Sequence, residues 1–222
     1  MSVLVAFPTK DQVHWRTMYS CMALRCKDDI RWQIAASSVI HSIREQLADI
    51  AVKDNFDYIM FIDSDMVFEP DIIDRLMAHD KDIVSAMAFK RKAPFQPCFY
   101  SKCRYDIENH DFEIQSPVEW TENELLEIEG VGMACCLIKT KVLKETPKPW
   151  FFPFEEFGED LSFCIRARSQ GFKIFLDTSI QVGHLGTFEV NYKHFKNEYD
   201  LWQKTNKGLD KTLYIQDMMK GD

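Results

Sequence analysis

The chain has 222 residues, 46% hydrophobic and 28% charged, enough for one domain with a sizeable core and ordinary for a globular protein. A formal net charge of -8 disfavours a general nucleic-acid binder, which needs a basic footprint; 89–92 (Phe-Lys-Arg-Lys) is the one compact basic run. No apolar stretch is long enough to span a bilayer, the apolar N-terminus is too short for a signal peptide, and seven cysteines, an odd number, point to reduced thiols, so a cytoplasmic location is expected.

Residues 2–7 read as a first strand ending in a Pro8-Thr9 turn, and 13–24 as a helix. Residues 30–36 form a second strand. Ser37 and Ser38 then cap a helix over 39–52, with Ile40, Ile43, Leu47 and Ile50 as its apolar stripe. A third strand covers 57–62. Pro70 starts a short helix, since proline suits the first helical turn. Residues 83–88 are a further strand. This alternation over 1–88 implies an α/β fold with a mostly parallel, doubly wound sheet.

Residues 89–129, rich in aromatics, prolines and alternating polar residues, suggest antiparallel ribbons and loops. An apolar strand follows over 133–138, then a helical turn over 140–145 and a loop over 147–157. Residues 158–170 form a helix closed by Gly171. Two short strands, 173–176 and 180–182, precede Gly183-His184-Leu185-Gly186. From Tyr192 a polar helical tail packs on the domain.

Asp63-Ser64-Asp65 closes the third strand. An apolar strand of that length is buried in a sheet, so both acids emerge at its carboxyl end, where open α/β sheets hold ligands. Close carboxylates repel unless a cation or a shared proton lies between them, and a hard divalent ion fits. A solvated turn with a capping acid is the plainer reading. Glu159 and Asp160 begin a helix, where acids complement the dipole. Successive helical side chains point about 100° apart, so one acid can cap while the other faces a cleft. Asp160 is the expected general base, with Glu159 beside it contacting the acceptor. His184 sits between glycines that allow close backbone approach, and imidazole suits a Mn2+ site completed by carboxylates. Pro8 and Thr9 are placed to touch a nucleotide base or ribose. Cys21/Cys26 and Cys98/Cys103 share one spacing and allow either a zinc site of unusual spacing or buried small hydrophobes.

In this order, residues 3–9, 61–65, 130–134, 158–163 and 182–184 resemble GT-A fold nucleotide-sugar glycosyltransferases, nearest to the inverting family 2-like enzymes and their small phage or bacterial relatives. The likeness spans Val3 to His184. It implies a GT-A domain over 1–190, with 1–88 binding nucleotide and 89–190 facing the acceptor, and a tail over 191–222. It implies a UDP- or GDP-sugar donor, an acceptor hydroxyl on a glycan, lipid-linked or protein substrate, hexosyl transfer, and Mn2+ or Mg2+. By position, Thr9 holds the nucleoside, Asp63 contacts ribose or metal, Asp65 and His184 bind the metal, and Gly132 borders the sugar. Arg91 and Lys92 either touch phosphate or acceptor or form a solvated basic loop, and Trp150 and Phe151 offer either an apolar platform for a sugar ring or core packing. Two other readings stay open: a haloacid dehalogenase-type phosphatase using Asp63 as nucleophile, and a nucleotide-sugar binding module without turnover.

Overall fold

The computed structural model describes residues 1–106, 108–186, 189–211 and 213–215. In chain order the elements are β1 (Ser2–Thr9), α1 (Trp15–Ala23), β2 (Asp29–Ala36), α2 (Ile40–Lys53), β3 (Tyr58–Ile62), β4 (Met66–Val67), α3 (Ile72–Met77) and β5 (Ile83–Met87). Next come β6 (Phe99–Tyr100), β7 (Lys102–Asp106), β8 (Asp111–Gln115), β9 (Leu125–Ile128), β10 (Gly130–Val131), β11 (Cys135–Lys139) and α4 (Thr140–Glu145). The last are α5 (Glu159–Ser169), β12 (Ile174–Gln181), β13 (Gly183–Leu185), β14 (Glu189–Val190) and α6 (Tyr192–Thr205).

Seven strands form the central sheet in the order β2-β1-β3-β11-β5-β12-β9. Strands β2, β1, β3, β5 and β12 run the same way, while β11 is antiparallel to both its neighbours and β9 to β12. Alternation along each strand divides the core between two faces. Leu4, Ala6, Ile59 and Phe61 face one side with Ile43 and Leu47 of α2 and Phe163 of α5. Val3, Val5, Met60 and Ile62 face the other with Ile72, Ile73 and Leu76 of α3. Strands buried on both faces read as unbroken apolar runs, as β3 does.

Several boundaries differ from expectation. Pro8 and Thr9 are not a turn but the last residues of β1. Pairing of β1 with β3 ends at Ala6, so Pro8, which lacks an N–H, lies beyond the doubly paired stretch. Neither Ser37 nor Ser38 is the cap of α2. Val39 holds that position without a side-chain bond, and Ser37 Oγ accepts from the Val39 N–H at 3.2 Å. The two short strands expected over 173–182 are one strand, β12, whose register is interrupted between Asp177 and Gln181. There the Asp177 carboxylate accepts from Ser179 N and Oγ, giving the irregular backbone local partners. Gly171 does close α5, at φ +88°, a conformation open to glycine.

The tail helix α6 is anchored, not loose. Its start is a capping box between Asn191 and His194. Phe195, Tyr199 and Trp202 are buried in the main core beside Tyr214, each worth about 2 kcal/mol of apolar burial. Residues 216–222, the end of the expected tail, lie outside the described residues. Among the described residues no helix is long and apolar enough to cross a membrane.

Candidate active site

The carboxyl end of β3 opens into a cleft of about 710 Å³. Its walls bring together Pro8, Thr9, Arg44, Asp63, Ser64, Asp65, Arg91, Glu159 and His184. These residues span much of the chain and meet because parallel strands deliver their following loops to one edge. Past Ile62 the chain turns: Asp63 N donates to Ala134 O at 2.9 Å, and Met66 N to Asp63 O at 3.3 Å. The turn passes into β4, which pairs with β13 and sets Met66 opposite His184. Leu185 N then donates to Asp65 O at 2.8 Å, locking the two segments together.

Asp65 and His184 converge. His184 Nε2 lies 3.4 Å from Asp65 Oδ2, and His184 Nδ1 lies 2.7 Å from the Phe89 carbonyl oxygen. A carbonyl only accepts, so Nδ1 carries a proton, and Nε2 is the ring nitrogen turned to the carboxylate. A ring nitrogen and a carboxylate oxygen that close share a proton or a cation, and backbone anchoring of the far ring nitrogen is how metal-bound histidines are oriented. The donor set therefore fits a divalent ion held by one oxygen and one nitrogen. Among the described residues no group of three or more His, Cys, Asp or Glu is arranged to hold a metal ion, so further ligands would come from Asp63, substrate or water. Arg91 Nη1 donates to the same Asp65 oxygen at 2.9 Å. Burial works to raise the Asp65 carboxyl, but the hydrogen bond and charge of His184 and the charge of Arg91 outweigh it and hold it below the usual range.

Asp63 has a different partner. Arg44, on α2 and almost wholly buried, donates from Nη2 to Asp63 Oδ1 at 2.8 Å and from Nε to Glu159 Oε1 at 3.4 Å. Its guanidinium lies over the Phe61 ring, 5.4 Å from the centroid. Arg44 Nη1 is buried without a hydrogen-bond partner. Burial raises the Asp63 carboxyl, with Arg44 opposing in part. One buried cation thus ties the first acid of the β3 turn to the first acid of α5.

Asp160, one residue further on, faces another way. Its Oδ1 accepts from Leu161 N at 2.8 Å, and a methyl group at Gly132 would sit 3.5 Å from its Oδ2. Glycine keeps that space open in front of the carboxylate. Gly132 itself is held by its N–H to Cys98 O at 2.8 Å. Burial and the neighbouring Glu159 charge push the Asp160 carboxyl up to about 6. Such a group is ionised at neutral pH yet basic enough to take a proton as a bond forms.

Other expected residues fare differently. Thr9 lines the cleft, but its hydroxyl donates to Gln12 O and its carbonyl accepts from Ser37 N. Trp150 and Phe151 form no platform. Both are buried, Trp150 Nε1 donating to Leu143 O and Thr146 O, and Phe151 stacking on Phe163 at 4.8 Å. The Cys21/Cys26 and Cys98/Cys103 pairs join no metal cluster among the described residues. Cys21, Cys26 and Cys98 pack on one face of the sheet and Cys103 in a separate small core. Asp63, the nucleophile of the phosphatase reading, has one oxygen bonded to Arg44 and the other uncommitted. Sequence reasoning passed over Arg44. The available signal was its place inside the Ile40-Ile43-Leu47 stripe, where a charged residue on an apolar face demands a buried partner.

No family model and no curated protein matches the sequence. Solved structures do. Protein A197 from STIV superposes with a TM-score of 0.60 at 19% identity, over 84% of this chain and 86% of that one. GalNAc-T7, a glycosyltransferase solved with UDP, GalNAc and Mn2+, superposes with a TM-score of 0.55 at 11% identity, over 84% of this chain and 43% of that one. The chain has a GT-A-like fold. Its cleft at the carboxyl edge of the parallel strands is where such open sheets hold ligands. The chain spans less than half the length of GalNAc-T7.

Proposed function

We propose that the chain transfers a sugar from a nucleoside-diphosphate sugar to an acceptor hydroxyl, with inversion and with a bound Mn2+ or Mg2+. The observation that carries this reading is the meeting of Asp65 and His184 in the cleft of a GT-A-like sheet. UDP, GalNAc and Mn2+, present in the GalNAc-T7 structure, are the kind of ligand set this chemistry calls for.

Asp65 and His184 would hold the ion, and when bound it supplies charge to neutralise the departing diphosphate. Arg91, half exposed beside Asp65, offers a second cation to the phosphates. Asp63, oriented by Arg44, is left with one uncommitted oxygen for a ribose hydroxyl or the ion. Residues 1–88 supply most of this donor side, and residues 89–190 supply Gly132, Glu159 and Asp160 toward the acceptor. Asp160 accepts the proton of the acceptor hydroxyl across the gap at Gly132.

Calorimetric titration with UDP- and GDP-sugars, with and without Mn2+, tests the donor side. The wild-type chain is expected to bind one of them only with the divalent ion. Asp65→Ala and His184→Ala each weaken that binding about 100-fold, the scale on which loss of a ligand or its support acts. Equal wild-type affinity in excess chelator removes the metal from the proposal.

A further inference from the structure

A second cleft, of about 610 Å³, is walled by Lys90, Gln96, Tyr100, Gln115, Glu156 and Leu161. The first turn of α5 joins it to the cleft at the end of β3. Glu159 lines that first cleft, Leu161 lines the second, and Asp160 lies between them in the chain. Gln96 and Tyr100 flank Cys98, and a methyl group at Gly132 would sit 3.5 Å from both Cys98 Cβ and Asp160 Oδ2. The gap in front of Asp160 is thus bordered by the same segment, 96–100, that walls the second cleft.

This wall keeps side-chain hydrogen-bonding capacity unspent. Gln96 is only 7% exposed. The Lys90 ammonium, which can only donate, bonds to Gln96 Oε1 at 2.6 Å. That fixes the amide, so the other atom is Nε2, whose N–H groups have no partner among the described residues. A buried donor is costly to leave unpaired. The half-buried Tyr100 hydroxyl likewise bonds to no described residue. Burial, and then the charge of Asp160, raise that phenol, so it stays neutral and able both to give and to take a hydrogen bond.

What is left open decides the class of ligand. The backbone is already used: Gln96 O accepts from Lys90 N at 2.8 Å, Tyr100 O from Glu129 N at 3.0 Å, and Gln115 O from Ser101 N at 2.9 Å. An extended peptide docks through backbone partners. A phosphorylated carrier calls for clustered cations, whereas Lys90 shares this wall with Glu156. The remaining groups are an amide and a phenol beside the apolar Leu161. Hydroxyls on a ring with apolar C–H faces match that mixture of a few placed polar groups and apolar wall.

We propose that the second cleft is the acceptor site and that the acceptor is a sugar, held by Gln96 Nε2 and the Tyr100 hydroxyl with one of its own hydroxyls at Asp160. The acceptor role rests on the transfer reading; sugar binding rests on the cleft alone. In the step, the acceptor oxygen bonds to the anomeric carbon of the donor as the bond to the diphosphate breaks, and the acceptor proton passes to Asp160.

Saturation-transfer NMR on the full chain, with Mn2+ and UDP or GDP present, tests it. The probes are the methyl glycosides of glucose, galactose, mannose and N-acetylglucosamine, a Ser/Thr peptide and a short polyprenyl phosphate. At least one glycoside is expected to bind, in preference to the peptide and the lipid phosphate. Gln96→Leu and Tyr100→Phe should each weaken it about tenfold, the scale of one lost hydrogen bond in a closed site, with donor affinity unchanged. Tyr100→Phe removes a single oxygen and keeps the test valid if Gln96→Leu fails to fold. Absence of glycoside binding overturns the proposal, as does glycoside binding that both variants retain, or preference for the peptide or the polyprenyl phosphate. The two readings fail separately. A chain that binds a nucleotide sugar but no glycoside loses the sugar acceptor alone. One that binds glycosides through Gln96 and Tyr100 but no nucleotide sugar keeps the sugar site and loses the transfer reaction.

Discussion

Replacing Arg44 with Met lowers the melting temperature by roughly 6–12 °C at pH 8, the equivalent of about 3 kcal/mol in a chain of this size. Methionine fills much of the same volume, so the loss is one of charge. Arg44 is almost wholly buried and serves Asp63 and Glu159 together, and its charge also reaches Asp160. Without it, Asp63 and Glu159 lose the cation between them, and Asp160 loses the charge that helps to lower it. Removing one partner of a buried pair typically costs 3–5 kcal/mol; the figure here sits at the low end because both carboxylates keep some contact with water. The sign of the pH dependence follows. Arg44 lowers the Asp63 and Asp160 carboxyls. In its absence both titrate higher in the folded chain, while their unfolded values do not move. The folded variant then holds protons that the unfolded chain has already released, so its deficit grows as pH rises through that window. The shift should therefore be small near pH 4 and complete at pH 8. Thermal melts at the two pH values decide it, and equal shifts at both would mean lost packing, not lost charge.

Asp160→Asn separates catalysis from stability, with opposite effects on the two. As the acceptor base, Asp160 should contribute 10²- to 10⁴-fold to turnover, so the variant keeps donor affinity and loses transfer by about that factor. Wild-type transfer should fall about tenfold per pH unit below a pH of about 6, where the carboxyl becomes protonated. Stability moves the other way. A carboxyl raised from 3.8 to about 6 makes the folded chain bind more protons than the unfolded one between those values. That stability is present below the unfolded value and is lost as pH rises through about 6. Asparagine removes the titration, so the variant should gain up to about 3 kcal/mol at pH 7.5 and nothing near pH 4. Wild-type turnover in a properly folded Asp160→Asn chain would sink the assignment of the base.

Much of the architecture was legible because it rests on local pattern. The run from Tyr58 to Ile62 is wholly apolar, hence a strand covered on both faces, and it delivers Asp63 and Asp65 to the ligand-holding edge. Gly158 and Gly171 bracket α5, placing Glu159 and Asp160 at its first turn. The position of β11 between β3 and β5 was not legible, since strand order is a matter of long-range pairing that no local spacing encodes. Trp150 and Phe151 left two readings open for a related reason. An aromatic pair in a loop reads the same whether it lines a site or fills the core, and only neighbouring volume decides.

By itself the sequence determined which residues can do chemistry and which local elements carry them. Strand and helix periods, glycine stops and the clustering of acids are properties of a few adjacent residues. Only the tertiary structure decided the partnerships: Arg44 with Asp63 and Glu159, His184 with Asp65 through the β4–β13 pairing, and Asp160 against Gly132. Those contacts join residues separated by up to 119 positions, as with Asp65 and His184. They form because the parallel sheet gathers distant loops at one edge, and there desolvation and neighbouring charge give each carboxylate its own environment.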